Sequence, residues 1–201
     1  MSTGERALVA RASRGDVEAF SKLVHAHSDL VRGITLRMLG SQEGQDASQE
    51  VWVRVWANID GFRGDSAFGT WLHRITVNTC LGFRRKESRR TAREVGEGVA
   101  YLSQATSGGD TDPETAALDA ERRVEIRSAL SNVRPEHRAA VVMRHMEGLS
   151  CAEISDVLGV PDGTVKGWAS RGRAAMLTAL TEGSSSGRTV QHLLGAIARD
   201  D

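Results

Sequence analysis

The stretch FRGDSAFGTWLHRITVN (62–78) gathers three aromatic rings and three basic-type side chains in a chain that is only 4% aromatic. Turn-forming residues fill 61–66, and helical spacing resumes near Ala67. At about 100° per residue, Phe68, Leu72, Ile75, Thr79 and Phe83 share one stripe and read as core. Arg74, Asn78, Leu81 and Arg85 share a second stripe, with Trp71 on the border between the two. Arg84, Arg85, Lys86, Arg89, Arg90 and Arg93 then make a strongly basic end. An amide and guanidinium groups beside an aromatic ring suit a nucleic-acid backbone and unstacked bases. Taken alone, the same stripe fits a solvated helix face equally well.

A second constellation lies in GLSCAEISDVLGVPDGTVKGWASRGR (148–173), which has the form of a helix-turn-helix. Ser150 caps a helix and Glu153, three residues on, completes a capping box. Ala152, Ile154 and Leu158 are expected on the packed face, Gly159 at the turn, and Val160 in the angle between helices. Asp162 or Thr164 starts the second helix, whose Val165, Ala169 and Met176 face inward. Lys166, Ser170, Arg171 and Arg173 are left facing outward. A helix with short polar and basic side chains near its N-terminus suits the major groove; an ordinary helical hairpin is the alternative. The segment DASQEVWVRVWANI (46–59) places Trp52 and Trp56 four apart, expected in the core. Asp46, Gln49, Glu50 and Arg54 lie on its other side, where a partner would dock.

The chemistry of an enzyme is missing. GxxxxGK[ST] and HExxH do not occur, and GDSAFGT lacks the lysine of a phosphate-cradling loop. His25 and His27 point about 200° apart on a helix and share no metal. His73 and Cys80 share a face, but two ligands do not make a site. Cys80 and Cys151 match no metal spacing and read as reduced thiols. No cofactor is expected.

The elements that position these groups follow from helical spacing and punctuation. Leu8, Val9 and Ala12 form a short helix that Gly15 stops. Asp16 caps the next, whose stripe runs Phe20, Leu23, Val24, Leu30, Val31, Ile34 and Met38 to Gly40. Helices follow at about 43–59 and 67–90, then, opened by Pro113 and Pro135, at about 114–132 and 135–147. Two more occupy 150–158 and 162–180. The formal net charge is zero, yet residues 1–90 carry 14 Lys/Arg against 10 Asp/Glu, while 91–120 carry one Arg against six acids. The Gly/Ser-rich acidic run at 91–112 reads as a flexible linker. The expected architecture is all-α: a domain at 1–90, the linker, a domain at 113–182, and a tail at 183–201 with a weakly amphipathic VQHLLGAIA. No leader or membrane-spanning run is present, so a soluble cytoplasmic protein is expected.

Together these residues resemble the extracytoplasmic-function (ECF) group of sigma-70-type sigma factors, the promoter-recognition subunits of bacterial RNA polymerase. The resemblance rests on D-x-x-Q-E-V-W-x-R-V-W, then F-R-G-D-S-A-F-x-T-W-L-x-R-I-x-x-N, then G-L-S-x-x-E-I-x-x-x-L-G-V-P-x-G-T-V-K, in that order. It implies sigma domain 2 at 1–90 and sigma domain 4 at 113–182, with core polymerase (the β′ coiled coil and the β flap) and promoter DNA as partners. By this resemblance Asp46, Gln49, Glu50 and Arg54 dock on the β′ coiled coil. Arg63, Gly64, Asp65, Ser66 and Phe68 take a flipped base of the minus-ten element, and Trp71, Arg74, Asn78 and Arg85 hold the melted strand. Thr164, Lys166, Ser170, Arg171 and Arg173 read the minus-thirty-five element. The family also implies an anti-sigma factor that clamps between the domains.

Departures qualify the carry-over. Housekeeping relatives carry a Trp pair near the Arg74–Ile75 position, absent here, and a long middle domain, also absent; weaker melting and stricter promoter choice follow. Gly167 stands where the family often has Ser, at a helix-propensity cost of roughly 1 kcal/mol. Two other readings fit parts of the chain. A free-standing regulator would bind duplex DNA without polymerase, and an interaction module would keep its activity without 149–180. The acidic residues Asp110, Asp112, Glu114 and Asp119 suit a path over basic polymerase surface, and neutralising them is expected to weaken holoenzyme assembly or alter early transcription.

Overall fold

Helix-forming spacing over the first 90 residues folds as four helices in the computed structural model, which describes residues 2–93 and 113–183 and the side chains of 2–90 and 121–182. Asp110, Asp112 and the tail helix therefore lie outside the described residues, while Glu114 and Asp119, grouped with the linker charges, stand on a helix whose side chains are described only from 121. The chain divides into two compact units, Met1–Val99 and Ala100–Asp201. Every regular element among the described residues is helical.

In the first unit α1 (Thr3–Ala12), α2 (Val17–Leu39), α3 (Ser41–Asn58) and α4 (Phe68–Arg93) pack around α2. Asp16 caps α2 as expected, its carboxylate accepting from the Ala19 amide at 3.0 Å. The amide bond and the Arg11 guanidinium beside it hold this carboxyl below its ordinary value. Gly15 and Gly40 turn the chain with φ of +88° and +85°, a region that side chains rarely enter. Leu23, Val31, Val51, Val55, Phe68 and Leu72 form the centre of the core. At the α2–α3 crossing a Cβ on Gly44 would lie 3.0 Å from the Leu36 Cα and the Thr35 carbonyl. Glycine there lets the two backbones approach, and Thr35 and Ser48 bridge them at 2.7 Å.

Two expectations for this unit change. The Trp pair is a rim and not a core: Trp56 is 39% exposed and Trp52 is half-buried. The rings lie edge-on against Phe20, 4.8 Å (Trp56) and 6.2 Å (Trp52) away. The residues that α3 buries are Gly44, Ala47, Val51 and Val55, small enough to sit against α2 and α4. On α4 the buried arc is wider than one stripe. It takes in His73, Thr76, Val77 and Cys80 besides Phe68, Leu72 and Thr79, while Ile75 and Phe83 are half-buried. Both α2 and α3 pack on this helix, so two flanks are covered and not one.

The second unit contains α5 (Pro113–Ser131), α6 (Pro135–Val141), α7 (Cys151–Leu158) and α8 (Asp162–Gly183), with α8 packing against the other three. The single helix expected at 135–147 is interrupted: residues Val142–Met146 form a wider π turn. Arg138 is 3% exposed and closes the α5–α6 junction by donating to the carbonyls of Ser131 (2.8 Å) and Val133 (3.0 Å). At the α6–α8 crossing, a Cβ on Gly172 would lie 2.6 Å from Val141 Cγ2 and 2.8 Å from the His137 carbonyl oxygen. Only glycine fits that approach.

Candidate nucleic-acid and protein interfaces

In the first unit, residues 63–67 form an exposed loop between the short 3-10 turn Ile59–Gly61 and α4. Gly64 turns it with φ +79°, and Arg63, Asp65 and Ser66 are exposed. Aromatic rings hold its two ends together. Phe62 precedes the loop and lies 5.7 Å, edge-on, from Phe68, and 5.3 Å from Trp71. Phe68 and Trp71, both after it, are 5.6 Å apart. Contacts of this kind are worth roughly 0.5–1.5 kcal/mol each beyond simple burial. The His27 ring of α2 lies 5.3 Å from Phe68, and its Nε2 lies 2.9 Å from Glu5 Oε1 of α1.

Phe68 is itself fully buried. The resemblance counts it among the groups that take a flipped base, but its ring packs against His27, Phe62 and Trp71 with no exposed surface, so it lies under the loop and is not presented by it. Trp71 is half-buried, on the border where it was expected. Arg74, Asn78 and Arg85 are exposed along α4. The basic end is weaker than its composition implies. Arg84 donates to the Met38 carbonyl at the end of α2, 3.3 Å, and Arg90 pairs with Glu87 at 3.0 Å.

On α3, Asp46, Gln49 and Arg54 are exposed and Glu50 is half-buried, so these four polar groups share the solvent side of the helix. Arg54 and Glu50 pair at 2.7 Å, one turn apart. Val53, 64% exposed, interrupts that polar face with an apolar patch.

In the second unit the helix-turn-helix is built as the spacing implies. Ser150 Oγ accepts from the Glu153 amide at 3.2 Å, and Glu153 Oε2 accepts from the Ser150 amide at 2.8 Å. Both halves of the capping box are present. Gly159 ends α7 in the left-handed conformation, φ +67°, with its amide donating to the Ser155 carbonyl. Ser155 Oγ donates to the Val160 carbonyl, closing the turn. Ala152, expected on the packed face, is exposed, and Val157 is buried in its place beside Ile154. At about 100° per residue Ala152 lies nearly opposite Ile154 and Val157, the two residues that α7 buries.

Along α8, Lys166, Ser170 and Arg171 are exposed and Thr164 is half-buried. Arg173 is half-buried also, and follows Gly172, where α6 comes near. Arg171 folds back along the helix, its Nη2 3.3 Å from where a Gly167 Cβ would be. The missing side chain at 167 therefore leaves room for a guanidinium. Lys166 is paired with Asp162 at 2.7 Å, which raises the lysine's pKa. His137 stands 6.3 Å from the Trp168 ring. Burial, then Arg171 and Arg134, lower its pKa below the ordinary imidazole value.

Among the described residues there is no group of three or more metal-ligating side chains, and no helix long and apolar enough to cross a membrane. Cys80 is buried, with burial raising its pKa to about 12.

Comparison with known proteins places both units in one family. Residues 23–90 match the family model Sigma-70 region 2, and residues 123–176 match Sigma-70, region 4. The chain is 33% identical over 165 residues to the ECF RNA polymerase sigma-E factor of Haemophilus influenzae, covering 81% of this chain and 87% of the relative. Among solved structures it is similar to CnrH in complex with the cytosolic domain of CnrY, at 25% identity and TM-score 0.60, over 90% of this chain and 99% of that one. The fold is shared also with the sigma factor RpoE of Bartonella quintana in complex with the anti-sigma factor NepR, at 20% identity and TM-score 0.64, over 82% and 98% of the two chains. With region 2 on the helices that carry the braced loop and region 4 on those that carry the helix-turn-helix, the chain belongs to the extracytoplasmic-function group of the sigma-70 family.

Proposed function

We propose that this chain binds core RNA polymerase and directs it to promoters by holding the minus-ten element in its first unit and reading the minus-thirty-five element in its second. The observation that carries the reading is the loop at 63–67. It presents exposed polar and charged groups on a base of packed rings, the arrangement that holds an unpaired base without ordering the loop at the moment of binding. Arg63, Asp65 and Ser66 contact that base, while Arg74, Asn78 and Arg85 follow the strand along α4. Asp46, Gln49, Glu50 and Arg54 dock α3 on the β′ coiled coil, and the second unit meets the β flap. Thr164, Lys166, Ser170, Arg171 and Arg173 enter the major groove, with the N-terminus of α8 toward phosphate.

Domain limits near 90 and 113, joined by an acidic linker, belong to the same proposal. So does an anti-sigma factor that withholds the chain from polymerase, a reading supported by the complex of the sigma factor RpoE, which shares this fold, with the anti-sigma factor NepR. The chain acts as an initiation factor and not as an enzyme, in the cytoplasm where polymerase and promoter are found. Run-off transcription with core polymerase tests the proposal. Specific initiation that needs both the chain and the core supports it; stable, specific binding of duplex promoter by the chain alone, with no initiation, points instead to a free-standing regulator.

A further inference from the structure

Glu5 and His27 are 22 positions apart, yet their side chains meet at 2.9 Å with only 23% and 18% of their surfaces exposed. Such a pair is an unexpected occupant for a site beside a fully buried Phe68, where an aliphatic residue would fill the same volume. What the pair adds is direction. A hydrogen bond to Glu5 fixes the plane of the imidazole, which lies tilted by 59° against the Phe68 ring. Ring contacts depend on such geometry in a way that aliphatic packing does not. Glu5 is held in turn, because its own amide donates to Ser2 Oγ at 3.2 Å at the start of α1.

The chain of contacts then runs toward the loop. Phe68 touches Phe62 and Trp71, and Phe62 touches Trp71, so the residues on both sides of 63–67 form one aromatic cluster. His27 abuts the one member of that cluster that is fully buried. Three elements thus converge beneath the loop: α1 through Glu5, α2 through His27, and α4 through Phe68 and Trp71.

We propose that the Glu5–His27 pair is a positioning device for the loop, orienting the aromatic cluster so that the turn at Gly64 presents Arg63, Asp65 and Ser66 to an unpaired nucleobase. The pair does not touch the base. It lowers the ordering cost of capture by keeping the loop in its bound form beforehand. The inference rests on the reading of the loop as the capture site.

The test uses full-length chain reconstituted with core polymerase and a fluorescent single-stranded oligonucleotide carrying the minus-ten sequence. His27→Ala and Glu5→Ala are expected to weaken oligonucleotide binding by roughly three- to tenfold, the scale of one oriented ring contact. His27→Phe, which keeps a ring and loses the hydrogen bond, falls between these and the wild type. Glu5→Gln, whose amide oxygen still accepts from the imidazole, restores wild-type affinity. Core affinity and binding of a duplex minus-thirty-five fragment stay unchanged throughout. In the free chain, trypsin cleavage after Arg63 accelerates in His27→Ala and Glu5→Ala relative to cleavage elsewhere. Wild-type oligonucleotide affinity and wild-type cleavage in His27→Ala overturn the proposal, as does an equal loss of core affinity, which marks a merely structural role. Should His27→Ala fail to fold, the contrast between His27→Phe and Glu5→Gln carries the same decision. An Arg63→Ala/Asp65→Ala variant runs beside them. If it too binds normally, the capture site lies elsewhere, while the cleavage rates still decide whether the pair braces the loop.

Discussion

Replacing Gly172 with alanine tests the packing that aims α8. The added Cβ would stand 2.6 Å from Val141 Cγ2, 2.8 Å from the His137 oxygen and 3.2 Å from the His137 carbonyl carbon. Two of these atoms are backbone and the third belongs to a valine only 1% exposed, so no flexible side-chain end is available to yield. Overpacking of this kind costs typically 1–3 kcal/mol, and an obstructing backbone favours the upper end, about 3. Alanine recovers about 1 kcal/mol of helix propensity, leaving a net loss of about 2 kcal/mol. Native-state hydrogen exchange read by mass spectrometry separates α6 and α8 peptides from those of the first unit. The slowest amides of α6 and α8 should exchange roughly 30-fold faster, with α2 and α4 unchanged. Gly82→Ala is the control: nothing lies within 4 Å of its Cβ position, so that variant should be stabilised by about 0.5–1 kcal/mol. Exchange in α6 and α8 that is unchanged or slower in Gly172→Ala would refute the close-approach argument.

Three further outcomes follow from the electrostatics and burial of named groups. Asp162→Asn frees Lys166 from its pair and removes a negative charge from the end of α8 proposed to face DNA, so a minus-thirty-five fragment should bind the holoenzyme roughly two- to threefold more tightly, by fluorescence anisotropy at fixed salt. Equal or weaker binding would show that Lys166 makes no use of its release. His137 has its folded pKa below the unfolded value of 6.5, so the unfolded chain binds the extra proton first. The second unit should therefore lose stability as pH falls through about 6.5, and His137→Gln should flatten that dependence in urea titrations followed at several pH values. Cys80, with its thiol pushed up to about 12 and no exposed surface, should resist iodoacetamide in the native protein, while half-buried Cys151 is alkylated, as peptide mass spectrometry would show. Equal labelling of the two would contradict the burial of α4 in the core.

The punctuation of this chain was legible because its causes are local. Gly15, Asp16, Gly40, Ser150 with Glu153, and Gly159 each act within four residues, and each ends or starts a helix where its type implies. The faces were less legible because neighbouring helices decide them. Trp52 and Trp56 are the largest apolar groups on α3, yet the face that α2 and α4 cover is the one carrying Val51 and Val55, and the indoles stand beside it against Phe20. Phe68 was read both as core and as a base contact; its four-residue relation to Leu72 correctly implied burial, and the enclosure by His27 and Phe62 explains why burial excludes contact. The role of His27 had no local signal, since its partner Glu5 lies on another helix. Arg138 and Gly172 were silent for the same reason. Lys166 with Asp162, by contrast, stands at the i, i+4 spacing that pairs opposite charges on any helix, a local signal that the outward placement of Lys166 left unused.

The central claim is that the loop at 63–67 and the exposed face of α4 hold an unpaired strand once polymerase is present. The most direct measurement is the fluorescence of 2-aminopurine placed in the minus-ten element of duplex promoter. The account predicts a rise on adding the chain together with core polymerase, none with either alone, and a reduced rise for Arg63→Ala/Asp65→Ala and for Asn78→Ala with core affinity unchanged. A full rise in those variants, or opening by the chain without polymerase, would contradict it.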